Sequence, residues 1–315
     1  DRGKVVRRVF IEWLREHGQS EGSIERFWRP VVVSACNLDV ERVSAASALH
    51  VFQDGFLRNR DAAVMGVSRV PLLELYDAAE EAIARVGGEL RLGTSVESLD
   101  ERSVTLSTGE TLRGSRVICA LPFERAAKAI DASVRRRDRR IAALDRLEHS
   151  PILGVHLMFD RPVLHVPHAV LVERPTQWVF RKDEHGRKVH AVVSAADEWM
   201  GLSEREIVDR IVEDMEACLP RARGAEIEHA RAVKEKRATF APTPEAEVIR
   251  PGVEGGSGLL LAGDYVQAGW PATMEGAARS GYLAAAAALG RDAAWALRPE
   301  LPASLMCRAL DRLAV

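Results

Sequence analysis

The sequence predicts a mixed α/β protein (α+β in texture) in which two domains interleave along the chain. Three observations carry that expectation. Strand-like texture appears in two separate blocks, 89–122 and 152–197, with helical texture before, between and after them. The order is therefore helices, strands, helices, strands, helix, strand, helix, which is not the regular alternation of a simple doubly wound sheet. Near the end, the apolar run Leu259-Leu260-Leu261-Ala262 stops at Gly263-Asp264 and gives way to a helix of small residues. That is how a buried parallel strand delivers its end to a ligand.

Each element follows from local pattern. Val5, Val6, Val9, Phe10, Trp13 and Leu14 form the 3.6-residue stripe of an amphipathic helix that Gly18 can stop. Ser20 to Arg26 reads as a capping box opening the next helix, which carries Phe27 and Trp28. Residues 40–58 read as helix again, and Pro71 opens a strong helix closed by Gly87-Gly88. The first β block turns at Thr108-Gly109-Glu110 and ends in the apolar run Val117–Leu121 before Pro122. Helical texture then runs from Glu124 to about Glu148. The second block reads as four strands, ILGVHLMFD, AVLVER, QWVFRK and KVHAVVSAAD, followed by a helix at 203–219 and the strand-like ARAVKEKRATF.

Composition bounds the function. The chain has 315 residues, 47% hydrophobic and 29% charged, enough for a large buried core and too apolar for disorder. A net charge of −2 and no basic patch interleaved with aromatics argue against nucleic acid. The apolar runs are shorter than the roughly 20 residues of a membrane-spanning helix. Cys36, Cys119, Cys218 and Cys307 are scattered without a CxxC pair, so free thiols in a reducing cytoplasm are expected, and no metal site.

Leu259–Leu289 carries the chemistry. Asp264 at a strand end can accept two hydrogen bonds from a sugar or polyol. The helix starting near Thr273 offers amides without internal partners and the positive end of its dipole. Gly276, Ser280 and Ala284 share one stripe, which lets the helix backbone lie close to a neighbour. The plainer alternative is a strand, a turn and a buried helix, with Asp264 merely capping.

The wording of this stretch, AGD, GWPATMEGA and RSGYLAA, resembles the carboxyl-terminal FAD motif of the amine oxidase and phytoene desaturase superfamily. It looks most like squalene-associated FAD-dependent desaturases, the hydroxysqualene dehydroxylases. FWRPVVVSACN, SRVPLLELY, GGELRLGTSVESL, QWVFRK and KRATFAPTPEAEVIRPG fall in that family's order, over roughly 25–290. The resemblance implies a doubly wound FAD-binding domain, incomplete here, interleaved with a substrate domain of antiparallel sheet and helices. Residues 1–85 would be helices of the substrate domain, 86–123 FAD-domain strands, and 124–247 the rest of the substrate domain. Residues 248–290 would be the carboxyl-terminal FAD-binding segment and 291–315 a helical tail. Asp264, with Gly263, would hold the ribityl or pyrophosphate region. Thr273 and Met274 would face the flavin's pyrimidine side, after the turn Gly269-Trp270-Pro271-Ala272. Val96 would meet the adenine, and Ala120-Leu121-Pro122 would pass near the diphosphate. The family's opening GxGxxG turn is absent and the chain starts at Asp1 in a helical pattern. The expectation is thus the body of such an enzyme without its amino-terminal part, poorly able to hold FAD alone. GVEGGSG at 252–258 has the wrong spacing and reads as a loop.

The implied reaction is reductive dehydroxylation of hydroxysqualene to squalene, in squalene and hopanoid biosynthesis, beside other enzymes of that pathway. A carotenoid or phytoene desaturase and a non-catalytic binding fragment are the alternatives. An acid must help the hydroxyl leave, and Asp54, Arg237 and Glu275 are the candidates, each set against an ordinary structural role. Trp178 and Trp270 would line the substrate cavity or pack in the core. His165 and His168 are spaced HxxH without a third ligand and read as a surface loop. The run Arg135–Arg140 offers a contact for anionic lipid at the inner membrane face, against the alternative of a solvated helix face.

Overall fold

A computed structural model describes residues 2–308 other than 65, 67, 69 and 306. Ten strands occur among them: β1 (Val96–Leu99), β2 (Ser103–Leu106), β3 (Thr111–Arg113), β4 (Ile118–Cys119), β5 (His149–Phe159), β6 (His168–Val170), β7 (Trp178–Arg181), β8 (Lys188–Ser194), β9 (Ile227–Phe240) and β10 (Leu260–Leu261). They form three sheets. β1, β2 and β3 make an antiparallel meander, while β4 pairs in parallel with β10, Ile118 opposite Leu260 and Cys119 opposite Leu261. The third sheet is antiparallel, in the order β6-β7-β8-β5-β9.

The parallel pair joins segments separated by the whole antiparallel sheet. It is extended by amides donated from Leu260 to Val117 O and from Ala262 to Cys119 O, at 3.2 and 2.9 Å. Leu259 and Leu261 are fully buried beside Val117, Phe123, Ile141 and Tyr265, each such leucine contributing ~1.5–3 kcal/mol. Of the doubly wound sheet that was expected, the described residues contain this one pair. The inward side chains of β5 and β8 (Leu153, Val155, Leu157, Val189, Val193) pack on the helix Glu204–Cys218. A third cluster gathers Phe10, Leu14, Ile24, Val32 and Phe52 from the first helices.

Several expectations need correction. The helical stretch from Glu124 to Glu148 is three short helices, Phe123–Ala129, Ala132–Arg137 and Arg139–Ala143. Asp131 and Asp138 break it, because each carboxylate caps the next segment, accepting from Ser133 N and Arg140 N. At Ser20 only half of a capping box forms, with Oγ accepting from Ser23 N. The complete reciprocal box is Ser203 with Glu206. AVLVER contributes strand only at His168–Val170. The helix after Pro71 begins as a tight 3₁₀ turn, Leu72–Tyr76, before Asp77–Arg85, and Leu72, Leu73, Leu75 and Tyr76 stay exposed. Of the expected helical tail, Ala293–Ala296 is helical and 297–304 is not; 309–315 lie outside the described residues.

Candidate functional site

The site starts where the strand ends. Gly263 has φ +145°, and a Cβ there would lie 2.5 Å from Tyr265 Cε1, so glycine is required by both backbone and space. Its amide donates to Ser280 Oγ at 2.8 Å, and that hydroxyl donates to Ala277 O at 2.6 Å. Ser280 thereby ties the strand end to the following helix, Met274–Ala288, and is fully buried. Asp264 comes next. Burial pushes its carboxyl above the ordinary range, opposed by the Tyr265 amide and by the charges of Arg250 and His149.

The helix start is built as its composition suggests. Thr273 is the N-cap, its Oγ1 accepting from Gly276 N at 3.0 Å. Gly276 has no alternative, because a Cβ there would stand 2.6 Å from Pro271 O. The turn therefore folds back onto the first turn of the helix, with Met274 exposed and Ala272 buried.

Two clefts flank the turn. One, about 290 Å³, brings Ala120-Leu121-Pro122, Gly263, Asp264 and Arg237 together with His149 and Tyr265. The other, about 220 Å³, is lined by Gly269, Trp270 and Pro271 with His50, Glu247 and Arg250. The residues expected to share one cofactor are thus divided between two faces of one turn. Val96 lines neither; it lies half-buried on β1, against the core that holds Leu259 and Leu261.

The three acid candidates fare differently. Asp54 accepts from Arg2 and from Arg58 (3.0 Å). Burial would raise its carboxyl, but those bonds and the charges of Arg2 and His50 hold it below the ordinary range. It is an ion-pair anchor rather than a proton reserve. Glu275 is exposed and 3.6 Å from Arg279. Arg237 pairs with Glu124 at 3.4 Å on the wall of the larger cleft, and a guanidinium does not release its proton.

Sequence reading missed His149 and Glu124. His149 stacks on Phe123 at 4.2 Å, and its Nε2 is 3.4 Å from Glu124 Oε2. Both ring nitrogens, Glu124 Oε2 and the Tyr265 hydroxyl are buried without hydrogen-bond partners. Such orphans beside a cleft mark where a polar ligand is accommodated. No local pattern announces them, since His149 reaches Arg237 only through the pairing of β5 with β9.

Trp178 lines neither cleft: its Nε1 donates to Ser34 Oγ at 2.5 Å and its ring stacks on Phe180 at 5.7 Å. Trp270 meets His50 edge-on at 5.0 Å. His165 contacts Arg221 at 3.4 Å and His168 lies against Trp178 and Phe180; among the described residues no three His, Cys, Asp or Glu side chains are grouped to hold a metal. Three arginines of the run are held in ion pairs, while Arg136 and Arg139 stand exposed. Arg135 pairs with Asp145, Arg137 with Glu101, and Arg140 with Asp138.

A strand end carrying a half-buried carboxylate, followed by a close-packed helix start, is where open α/β sheets place their ligands. The profile described as flavin containing amine oxidoreductase matches residues 8–289, and the chain belongs to that family. It is 30% identical over 271 residues to hydroxysqualene dehydroxylase of Sinorhizobium fredii, across 84% of this chain and 62% of that protein. It is 27% identical to the 15-cis-phytoene desaturase of an Oncidium hybrid cultivar, across 66% of this chain and 39% of the relative. The chain thus spans under two thirds of the length of these relatives. Putrescine oxidase bound to putrescine shares the fold, with a TM-score of 0.69 at 17% identity, covering 91% of this chain and 69% of the other. No helix among the described residues is long and apolar enough to cross a membrane.

Proposed function

We propose that this chain forms the body of an FAD-dependent oxidoreductase that removes the hydroxyl of hydroxysqualene reductively, giving squalene. The observation that carries the reading is the larger cleft, where Asp264, the residues after β4, His149 and the unpaired Tyr265 hydroxyl meet beside Ala277 of the following helix. The likeness to a hydroxysqualene dehydroxylase supports the substrate class.

Asp264 would accept from the cofactor's ribityl hydroxyls. The backbone at Thr273 and Met274 would present the helix dipole to an electron-rich carbonyl, and Ala120-Leu121-Pro122 would hold the diphosphate region. Val96 would hold the adenine through its main chain. Gly269, Trp270, Pro271 and Ala272 shape the turn between these contacts. A bound FAD would supply two-electron transfer. The protein's part is to exclude water, orient the isoprenoid, and move one proton to the departing oxygen. His149, held by Phe123 and Glu124, is the imidazole of the cleft wall placed to hold that proton at Nδ1, with Arg237 fixing Glu124. Arg136 and Arg139 of the arginine run are the groups that meet an anionic lipid surface.

The likeness to phytoene desaturase favours one second reading, in which the same cleft oxidises a carotenoid precursor. Expression of the complete gene, an absorption spectrum, and product analysis with hydroxysqualene under reducing conditions test the proposal. A flavin band and squalene are expected. A product with added double bonds from phytoene supports the second reading, and well-folded protein without flavin sinks both.

A further inference from the structure

Arg250 stands before Pro251, at the end of the helix Pro244–Ile249. Its side chain is only 3% exposed. Every donor edge is used. Nε donates to Tyr265 O at 3.2 Å, and Nη2 serves Asp264 O, Val266 O and Trp270 O at 3.1, 2.9 and 2.9 Å. Nη1 reaches both oxygens of Glu247 at 3.2 Å, and the guanidinium lies 4.7 Å over the Phe240 ring.

The recipients matter more than the number. All four carbonyls belong to 264–270, the irregular turn that links Asp264 to the helix start and lines both clefts. This stretch has no sheet or helix bonds of its own to fix its course. Its other ties are Arg279 Nε to Ala268 O (3.4 Å), Val266 N to Gly263 O (3.2 Å), Gln267 N to Pro251 O (2.9 Å) and Gln267 Nε2 to Glu247 O (2.9 Å). The last two end on the segment that carries Arg250. Arg250 thus holds four of the turn's carbonyls, more than any other side chain.

We propose that Arg250 is a positioning residue for the cofactor, fixing the spacing between the Asp264 carboxylate and the helix start at Thr273. The inference rests on the flavin reading above, not on which isoprenoid is used. Planarity is essential to it: an ammonium is a point donor and cannot span four carbonyls and a carboxylate together. The charge has a second effect. Arg250 favours the ionised form of Asp264 against burial, with His149 acting in the same sense. Arg237 lies across the cleft, Glu124 stands behind His149, and the Tyr265 hydroxyl and Cys119 thiol are uncharged neighbours held protonated by burial.

The test uses protein from the complete gene with FAD as the probe, comparing wild type, Arg250→Ala and Arg250→Lys. Arg250→Ala should weaken FAD binding by about 100-fold, the loss of two charge-assisted hydrogen bonds ordering the turn. Millimolar guanidinium ion should restore part of it, and Arg250→Lys should stay at least about 10-fold weaker than wild type. The pH at which FAD is released on acidification should move upward in Arg250→Ala, because Asp264 loses its cation and protonates sooner. A purely structural arginine would lower the melting temperature of the flavin-free protein without moving that pH or responding to guanidinium, and this outcome overturns the proposal. Full affinity in Arg250→Lys overturns it as well. Wild-type protein that binds no FAD removes the flavin reading and this inference together, whereas unchanged binding in the variants removes this inference alone. Should Arg250→Ala not fold, Arg250→Lys and its pH of release carry the comparison.

Discussion

The loop before β10 and the turn after it each gather their carbonyls on an arginine, yet the two do different work. Arg140 reaches back to Gly252 O, Val253 O and Leu259 O at 2.8, 2.7 and 2.9 Å, and is paired with Asp138, whose side chain is 2% exposed. Arg250 reaches forward to the turn and is paired with Glu247. The first loop borders neither cleft, and the second borders both. The glycine cluster at 252–258 belongs to the first. A Cβ on Gly255 would stand 2.0 Å from Arg140 Nε, so that glycine makes room for a guanidinium rather than for a phosphate. The strand between them is thus clamped from both sides: one clamp serves stability, the other serves the site.

That contrast is best broken at Arg140. Arg140→Met leaves Asp138 buried without its cation and should cost about 3–5 kcal/mol, seen in urea unfolding, with FAD affinity of the surviving folded protein unchanged. An equal loss of flavin affinity would show that the first clamp also governs the site. A pH titration of stability sharpens the same point. Burial opposes ionisation of Asp138, but Arg140 and Ser257 hold its carboxyl down at about 2. Because the folded value lies below the unfolded one, its stabilisation is complete above roughly pH 4 and is lost as pH falls through about 2, a drop of ~2 kcal/mol. Asp138→Asn should flatten that acid limb.

On the other side of the strand, Gly263→Ala combines a left-handed backbone with the collision against Tyr265. It should cost ~2 kcal/mol, measured by thermal melting, and should weaken FAD more than Arg140→Met does. Ser280→Ala is the mildest change. It removes the acceptor of the Gly263 amide at about 1 kcal/mol, and a flavin-free melting temperature within error of wild type would show that water replaces the hydroxyl.

Much of the fold was legible locally. The apolar run, the glycine at its end, the N-cap threonine and the small-residue helix all appear where composition places them, because each depends on neighbours a few residues away. The same holds for the double glycine after the helix Asp77–Arg85, where Gly87 takes φ +75° and Gly88 N closes on Ile83 O at 2.9 Å. Helix breaks at Asp131 and Asp138 were missed for an equally local reason, since the carboxylate competes with the helix it would have continued.

The site itself was legible only in part. Asp264 and the turn announced themselves, and Arg237 did so as an acid candidate, whereas His149, Glu124 and Arg250 did not. His149 faces Phe240, and Ser150 faces Thr239, only because β5 and β9 pair antiparallel across a register shift near Ser150. Arg250 acquires its meaning from carbonyls up to twenty positions along the chain. Periodicity and caps report the nearest turns of chain, so residue order alone settled most of the strands, helices and turns, though not the breaks at Asp131 and Asp138. Which polar side chains share a cleft was settled by strand register and by the paths of irregular backbone, which no single stretch of sequence contains.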